Sequence, residues 1–182
     1  MQRYGLKWLL MGWLATAGVL GAGAACALDA TQIRYQTNDA FLQQAFGTQR
    51  PQWKMLHLNP ALKKQVAEIL GHPYPGMRIR YWYQQERSAW IIDEVGKDLP
   101  ITIGVVVDAA GIRQLSILVY REERGGEVHE DFFTRQFHRL QLTADDQLSR
   151  RIDGVTGATL SVHAVERTAR LALVLHRLVM VP

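Results

Sequence analysis

The chain has 182 residues, which is enough for one domain. Hydrophobic residues make up 48% and charged residues 21%, a globular balance that excludes a disordered or fibrous protein. The single cysteine, Cys26, lies in a predicted leader, so disulfides, thiolate catalysis, cysteine-bound metal clusters and C-x-x-C-H haem attachment are excluded from the remaining chain.

Residues 1–27 have the pattern of a secretory signal peptide. Arg3 and Lys7 precede an apolar run over residues 8–19, and Ala25-Cys26-Ala27 supplies a cleavage site before Leu28. Two alternatives stay open: an uncleaved anchor, since a bilayer core is roughly 30 Å thick, or a lipid-modified Cys26. All three predict that the rest of the chain is periplasmic or lies on the extracytoplasmic face of the inner membrane.

Half of the net positive charge belongs to this leader. The whole chain carries 21 Lys and Arg, 17 Asp and Glu and a net charge of +4. Removing residues 1–27 takes away two basic residues and no acidic one, which leaves +2. This small excess gives no reason to expect a nucleic-acid partner.

The first half of the mature chain predicts two short helices. Asn38 is expected to cap a helix over residues 39–46 that ends at Gly47, and Asn59-Pro60 to begin a second one that ends at Gly71. Apolar and polar residues then alternate, or apolar residues run together, in five predicted strands: 53–58, 77–84, 89–95, 101–107 and 112–120.

The second half predicts a hairpin followed by helices. A four-residue loop, 108–111, joins the last two strands, with Gly111 available for a positive φ. After a charged loop, residues 131–140 and about 160–179 have helical periodicity. We therefore predict one α+β domain over residues 28–182, with a central, mainly antiparallel sheet packed by helices and a long C-terminal helix.

A polar turn, Asp-Gly-Val-Thr-Gly-Ala-Thr at residues 153–159, precedes the last helix. Thr159 would lie at or beside a helix N-terminus, where unpaired N–H groups and the helix dipole favour an anion such as phosphate. A threonine that only caps the helix explains the same residue, and Gly154 and Gly157 also fit plain turn geometry. The spacing matches neither the dinucleotide-binding fingerprint nor a P-loop. The residues alone leave a phosphate site and a simple helix start open.

The turn resembles the flavinylation motif Asp-x-x-Ser/Thr-Gly-Ala-Thr of the FMN-binding domain family. That family includes flavin-carrying components of the sodium-translocating NADH:quinone reductase and of the Rnf electron-transport complex. The resemblance extends over about residues 100–178, through the hairpin, the charged loop and the Phe-x-x-Gln-Phe pattern at residues 133–137. In the loop, Glu122-Glu123-Arg124-Gly125-Gly126 departs from the family's Glu-Thr-Pro-Gly, so no flavin contact is carried over there.

The resemblance implies FMN attached by a phosphoester to Thr159. It further implies that Thr156, Gly157 and Ala158 form the tight loop, that Asp153 completes the motif, and that a flavin transferase installs the cofactor from FAD with magnesium. The expected function is an exported electron carrier without turnover of its own, serving membrane or periplasmic redox proteins. The alternatives are a non-redox module that binds a phosphorylated ligand or a partner, and a flavin reductase acting on a small acceptor.

Other polar and aromatic groups carry weaker hypotheses. No histidine spacing indicates a metal site and no G-x-S-x-G elbow is present, so neither a metal nor a catalytic residue is predicted. His163 could reach a cofactor at Thr159, although a solvated helix face also explains it. Four strand aromatics could stack on the flavin or simply fill the core; these are Trp53, Tyr81, Trp82 and Trp90. Arg167, Arg170 and Arg177 could meet an acidic partner or form an ordinary solvated stripe.

Overall fold

The computed structural model describes residues 32–180. The predicted leader therefore falls outside the described residues. Six strands and four helices follow the chain in this order: β1 (Ile33–Arg34), α1 (Asn38–Phe46), β2 (Gln52–His57), α2 (Pro60–Leu70), β3 (Arg78–Gln84), β4 (Arg87–Val95), β5 (Pro100–Asp108), β6 (Gly111–Tyr120), α3 (Asp131–Thr134) and α4 (Thr159–Met180). Two short 3₁₀ turns, Gly126–His129 and Arg135–Phe137, flank α3.

All six strands form one antiparallel sheet in the order β1-β6-β5-β4-β3-β2. Each strand from β2 to β5 pairs with the next strand along the chain, and β1 pairs with the other edge of β6. Helices pack on this sheet and the longest one is the last, so the predicted α+β class is confirmed.

The inner face of the sheet is covered by α4, with α2 beside it. Helix α4 buries one whole side, from Ser161 and Val162 down to Leu175, while the facing strands bury Trp90 completely. Glu94 on β4, only 1% exposed, accepts two hydrogen bonds from Arg167 of α4, at 3.1 and 2.9 Å. Apolar burial and this ion pair fix α4, and with it the turn that precedes it, on the sheet.

The outer face of the sheet is only partly covered. Helix α1 packs the Phe41 ring against Gly104, where a Cβ atom would lie 2.7 Å from that ring. The part of this face on β2 and β3 is left open, and Trp53 there is 58% exposed.

Local capping follows the sequence with one correction. Asn59 Oδ1 accepts from Leu62 N at 2.8 Å, Pro60 opens α2, and Gly71 ends it in the left-handed conformation, as predicted. For α1 the predicted cap Asn38 is wrong. Thr37 is the N-cap instead, and its Oγ1 accepts from Ala40 N at 3.1 Å. Both residue types cap helices well, so adjacent candidates could not be separated by sequence.

Two further predictions need correction. Asp108 and Gly111 pair with each other, so the hairpin loop is the two-residue turn Ala109-Ala110 and not four residues. The helix predicted over residues 131–140 stops being α-helical after Thr134, although its inward residues Phe133, Phe137 and Leu140 are buried as expected. None of the described helices combines the length and apolar character needed to cross a bilayer.

Candidate functional site

The turn before α4 presents Thr159 to solvent. Ala158 N donates to Val155 O at 3.0 Å, and Gly157, third in this four-residue turn, has a φ of 79°. A positive φ at that position is what a type II turn requires, and glycine adopts it without strain. Helix α4 begins immediately afterwards at Thr159, which is exposed.

Thr159 does not cap α4. The first helical hydrogen bond runs from Val162 N to Ala158 O at 2.9 Å, so Ala158 occupies the capping position and has no side-chain oxygen to offer. Within residues 32–180, the backbone N–H groups of Thr159, Leu160 and Ser161 have no hydrogen-bond acceptor. The helix start therefore offers free donors and the positive end of a 22-residue helix beside an unengaged hydroxyl.

These groups lie in a cleft of about 640 Å³. Its walls come from three segments: the link between β4 and β5, the loop after β6, and the start of α4. The lining residues are Lys97, Asp98, Leu99, Glu122, Glu123, Arg124, Gly157, Ala158, Thr159, Leu160 and Ser161. The volume falls in the ordinary range for cofactor and small-molecule sites.

One buried carboxylate holds the wall opposite the helix. Glu122 Oε1 accepts three backbone N–H groups, from Lys97, Asp98 and Leu99, at 2.7, 2.8 and 2.9 Å. Glu122 is 9% exposed, so these charge-assisted bonds are shielded from water. Glu122 thus orders residues 97–99 and leaves Glu123 and Arg124 facing the cleft.

The loop after β6 touches the turn so closely that only glycine fits. Gly125 has a φ of 84°, and a Cβ there would lie 2.8 Å from Ala158 Cβ and 2.9 Å from Tyr120 Oη. Tyr120 Oη donates to Arg124 O at 2.5 Å and lies 3.0 Å from Ser161 Oγ. Burial raises the pKa of Tyr120, which keeps its hydroxyl protonated. Tyr120 therefore links the loop to the first turn of α4.

Gln136 fixes the other end of the motif. Its Oε1 accepts from Asp153 N at 2.7 Å and its Nε2 donates to Asp153 O at 3.2 Å. The side-chain amide thus satisfies both backbone groups of Asp153, whose own carboxylate stays exposed. The glutamine in the Phe-x-x-Gln-Phe pattern has a structural role that its position in the sequence alone did not reveal.

The motif residues lie close together in the structure, but they do not all line the same cleft. Gly157, Ala158 and Thr159 line the main cleft. Thr156 is exposed and lines a neighbouring second cleft of about 530 Å³ with Tyr35 and His129, which shares Gly157 with the main cleft. Asp153 lines neither cleft. Glu122, Tyr120 and Gly125 were missed as site residues, and the clustered charges and glycines of loop 121–127 were the only signal for them.

The weaker candidates lie elsewhere. None of the four strand aromatics lines the main cleft: Trp90 and Tyr81 are core residues, and Trp53 and Trp82 lie on the outer sheet face. His163 is exposed and also outside this cleft.

The three arginines of the α4 stripe are all engaged within the chain, and Arg177 alone among them is exposed. Arg167 binds Glu94, Arg170 donates to Asp146 O, and Arg177 pairs with the Asp146 carboxylate. Among the described residues, no cluster of three His, Cys, Asp or Glu is placed to hold a metal ion.

The protein is an α+β domain in which the start of the last helix carries free N–H donors that can bind an anion. Comparison with family models gives a match to the FMN-binding domain over residues 96–174. This segment, which is 79 of the 182 residues, matches that family, and the match supports a flavoprotein. Comparisons with curated proteins and with solved structures give no match.

The residues present fit the phosphate of FMN. Three free N–H groups and an exposed hydroxyl converge at the helix start, the space beside Gly157 is open, and the cleft continues from there. Lys97 and Arg124 line the same cleft and can offset negative charge, although Lys97 also pairs with Asp98 at 3.3 Å.

Proposed function

We propose that the chain is an exported electron-transfer flavoprotein that carries FMN covalently on Thr159. The observation that carries the proposal is the exposed Thr159 hydroxyl, placed next to three free backbone donors at the mouth of the cleft. The family match over residues 96–174 supports FMN as the phosphate-bearing ligand. It thereby favours a redox role over the alternative of a non-redox phosphate-binding module.

The attachment reaction explains why no base is needed beside Thr159. A flavin transferase with magnesium would use FAD as donor: the Thr159 oxygen loses its proton and forms a bond to the FMN phosphorus. The phosphoanhydride bond of FAD breaks, and AMP leaves with the electron pair. Thr159 is thus an acceptor of modification, and the transferase supplies the acid–base chemistry.

Once attached, FMN supplies one- and two-electron chemistry, and the protein supplies binding and electrostatics. The N–H groups of residues 159–161 are placed to bind the phosphate oxygens, as at other helix N-termini. Glu122 keeps the opposite wall in place, and Gly125 brings that wall against the turn. A covalent link also suits an exported protein, because a lost cofactor could not easily be replaced outside the cytoplasm.

Replacement of Thr159 tests the attachment directly. The chain would be co-expressed with a flavin transferase, exported, and run on a denaturing gel under ultraviolet light. A fluorescent band with a mass gain of one FMN less one water is expected for the wild type, and a dark band of unmodified mass for Thr159→Ala. Thr134→Ala is a control, because Thr134 lies outside the cleft and only bonds back to Glu130 O.

Mass spectrometry would locate the modification. Trypsin cuts after Arg151 and Arg167, so one peptide holds Thr156, Thr159 and Ser161. Fragment ions must assign the FMN mass to Thr159. Covalent flavin that persists in Thr159→Ala, or that maps to another residue, would refute the assignment. Steady-state turnover with small acceptors then separates the carrier, which should show none, from a flavin reductase.

A further inference from the structure

The open part of the outer sheet face carries a group of arginines. Arg34, Arg78, Arg80 and Arg121, here called the arginine face, line one groove of about 730 Å³. Asp93 is the only acidic residue lining it. Arg34 and Asp93 sit in one row across the sheet, since Asp93 is opposite Thr102, Thr102 opposite Val119, and Val119 opposite Arg34.

The arginine face is not neutralised by the chain itself. In residues 32–180, none of its four arginines forms a salt bridge, whereas Arg167 and Arg177 of α4 both pair with a carboxylate. Asp93 Oδ1 instead accepts from Thr102 Oγ1 at 2.5 Å. The Arg80 guanidinium lies 5.2 Å from the Trp53 ring and 5.9 Å from the Trp82 ring, which restrains it without removing its charge.

The spacing of these arginines suits a large anionic surface. Neighbouring strands lie about 4.8 Å apart, so three strand intervals put Arg34 about 14 Å from Asp93. Arg78 and Arg80 lie one strand further, on β3. A single small anion cannot bridge such a distance. The arginines also line a groove, which side chains projecting from a protein can enter and a flat bilayer cannot.

The arginine face adjoins the flavin cleft. Arg121 Nη1 donates to Pro100 O at 2.8 Å and to Thr102 Oγ1 at 3.0 Å. Pro100 directly follows the cleft residue Leu99, and Arg121 directly precedes Glu122, so the two sites lie at the same end of the sheet, although no residue lines both. A molecule bound to the arginine face therefore reaches the end of the sheet at which the cleft lies.

We propose that the arginine face docks an acidic surface of a redox partner protein, which exchanges electrons with the flavin. This inference rests on the proposed function for the electron exchange but not for the docking. Guanidinium groups bind carboxylates bidentately and lose little hydration, so arginine suits this contact better than lysine. Charge complementarity of this kind speeds encounter and weakens as salt is added. Each electron that leaves the reduced flavin is taken up by the oxidised partner, which is thereby reduced by one electron.

Fluorescein-labelled poly-L-glutamate is the probe for docking, measured by fluorescence anisotropy. Wild-type protein should bind it, more weakly as ionic strength rises. Arg34→Glu with Arg78→Glu should raise Kd by about tenfold or more, as like charges replace attractive ones. The matched control is Lys64→Glu with Arg135→Glu, an equal charge change on exposed helical positions elsewhere, expected to change Kd by less than about threefold.

Thermal unfolding checks that every variant folds. If the glutamate pair does not fold, Arg34→Gln with Arg78→Gln replaces it, with a smaller weakening expected in the same direction. Equal weakening in both double variants would mean that only net charge matters and would overturn the proposal. Binding to vesicles of phosphatidylglycerol and phosphatidylcholine, without binding to poly-L-glutamate, would also overturn it in favour of a membrane surface.

The flavin-loaded chain tests the border with the cleft. Bound poly-L-glutamate should slow reoxidation of the reduced flavin by ferricyanide in the wild type and not in the arginine variant. Binding that leaves the rate unchanged would overturn the redox part of the proposal. Because the anisotropy assay needs no flavin, Thr159→Ala should bind the probe like the wild type. A failure of covalent attachment is therefore distinguishable from a failure of docking.

Discussion

Three glycines around the turn before α4 differ in what an alanine would meet, and they allow a graded test of the site. Gly125 combines a φ of 84° with a Cβ position 2.8 Å from Ala158 Cβ. Gly157 has a φ of 79° but open space around it, and Gly154 has a negative φ and open space. Alanine therefore adds both backbone strain and steric overlap at Gly125, backbone strain alone at Gly157, and neither at Gly154.

The magnitudes follow from these geometries. A left-handed φ costs a residue with a Cβ about 1–2 kcal/mol, and overpacking a closed contact about 1–3 kcal/mol more. Gly125→Ala should therefore destabilise the fold by about 2–5 kcal/mol and Gly157→Ala by about 1–2 kcal/mol. Gly154→Ala should stay within about 0.5 kcal/mol of the wild type, or gain slightly from lower unfolded-state entropy.

Denaturant unfolding gives the free energies. Gly125→Ala should also lower Tm, measured by calorimetry, by about 4 °C or more. Flavin loading should fall in Gly125→Ala, because pushing the loop from Ala158 moves a cleft wall. If Gly154→Ala loses as much stability as Gly125→Ala, or if Gly125→Ala keeps wild-type stability and full loading, the close approach of loop and turn is not what shapes the cleft.

Two further predictions concern buried carboxylates. Glu122→Gln should cost about 1–3 kcal/mol in denaturant unfolding, because three N–H groups lose a charged acceptor; Glu123→Gln, exposed on the same loop, should cost nothing measurable, and equal losses would contradict this role. The hydrogen bond to Glu94 raises the pKa of His72, so the stability it adds is complete below pH 6.5 and is lost as pH rises through the raised value. His72→Gln should therefore be less stable than the wild type at acid pH, and this difference in the free energy of unfolding should shrink as the pH becomes alkaline. The change should be less than about 1 kcal/mol, since the His72 side chain is 39% exposed. A difference that stays constant with pH would count against the pair.

Local sequence signals predicted most of the elements because they act within a few residues. Asn59-Pro60 and Gly71 bound α2 through caps that need no tertiary contact. Alternating burial on β3 follows directly from the side-chain period of a strand. The helix predicted over residues 131–140 is α-helical only as far as Thr134. A 3₁₀ turn follows, and Arg139 N then donates to Ile112 O. Such a tertiary contact leaves no periodic trace in the sequence.

Site residues divide in the same way. The exposed position of Thr159 at the start of α4 was accessible to prediction because the motif that contains it is contiguous. Glu122 was not, since its partners at residues 97–99 lie more than twenty positions away and are backbone groups without a side-chain signature. The arginines of α4 looked free in the sequence, yet Arg167 and Arg177 meet acids 73 and 31 positions away. Only the fold shows that the four arginines of the arginine face, which form no salt bridge among the described residues, lie on the opposite side of the sheet.

The position of β4 has a consequence for moving the flavin site between proteins. The segment recognised as an FMN-binding domain starts at residue 96, just after β4 ends at Val95. Yet β4 pairs with β5 from Ser88 to Val95 and contributes Trp90 and Glu94 to the support beneath α4. An excised 96–174 fragment would expose the backbone edge of β5 and its apolar face. The unit to transfer when the proposed flavin site is moved to another protein is therefore the whole sheet with α4, and not the recognised segment.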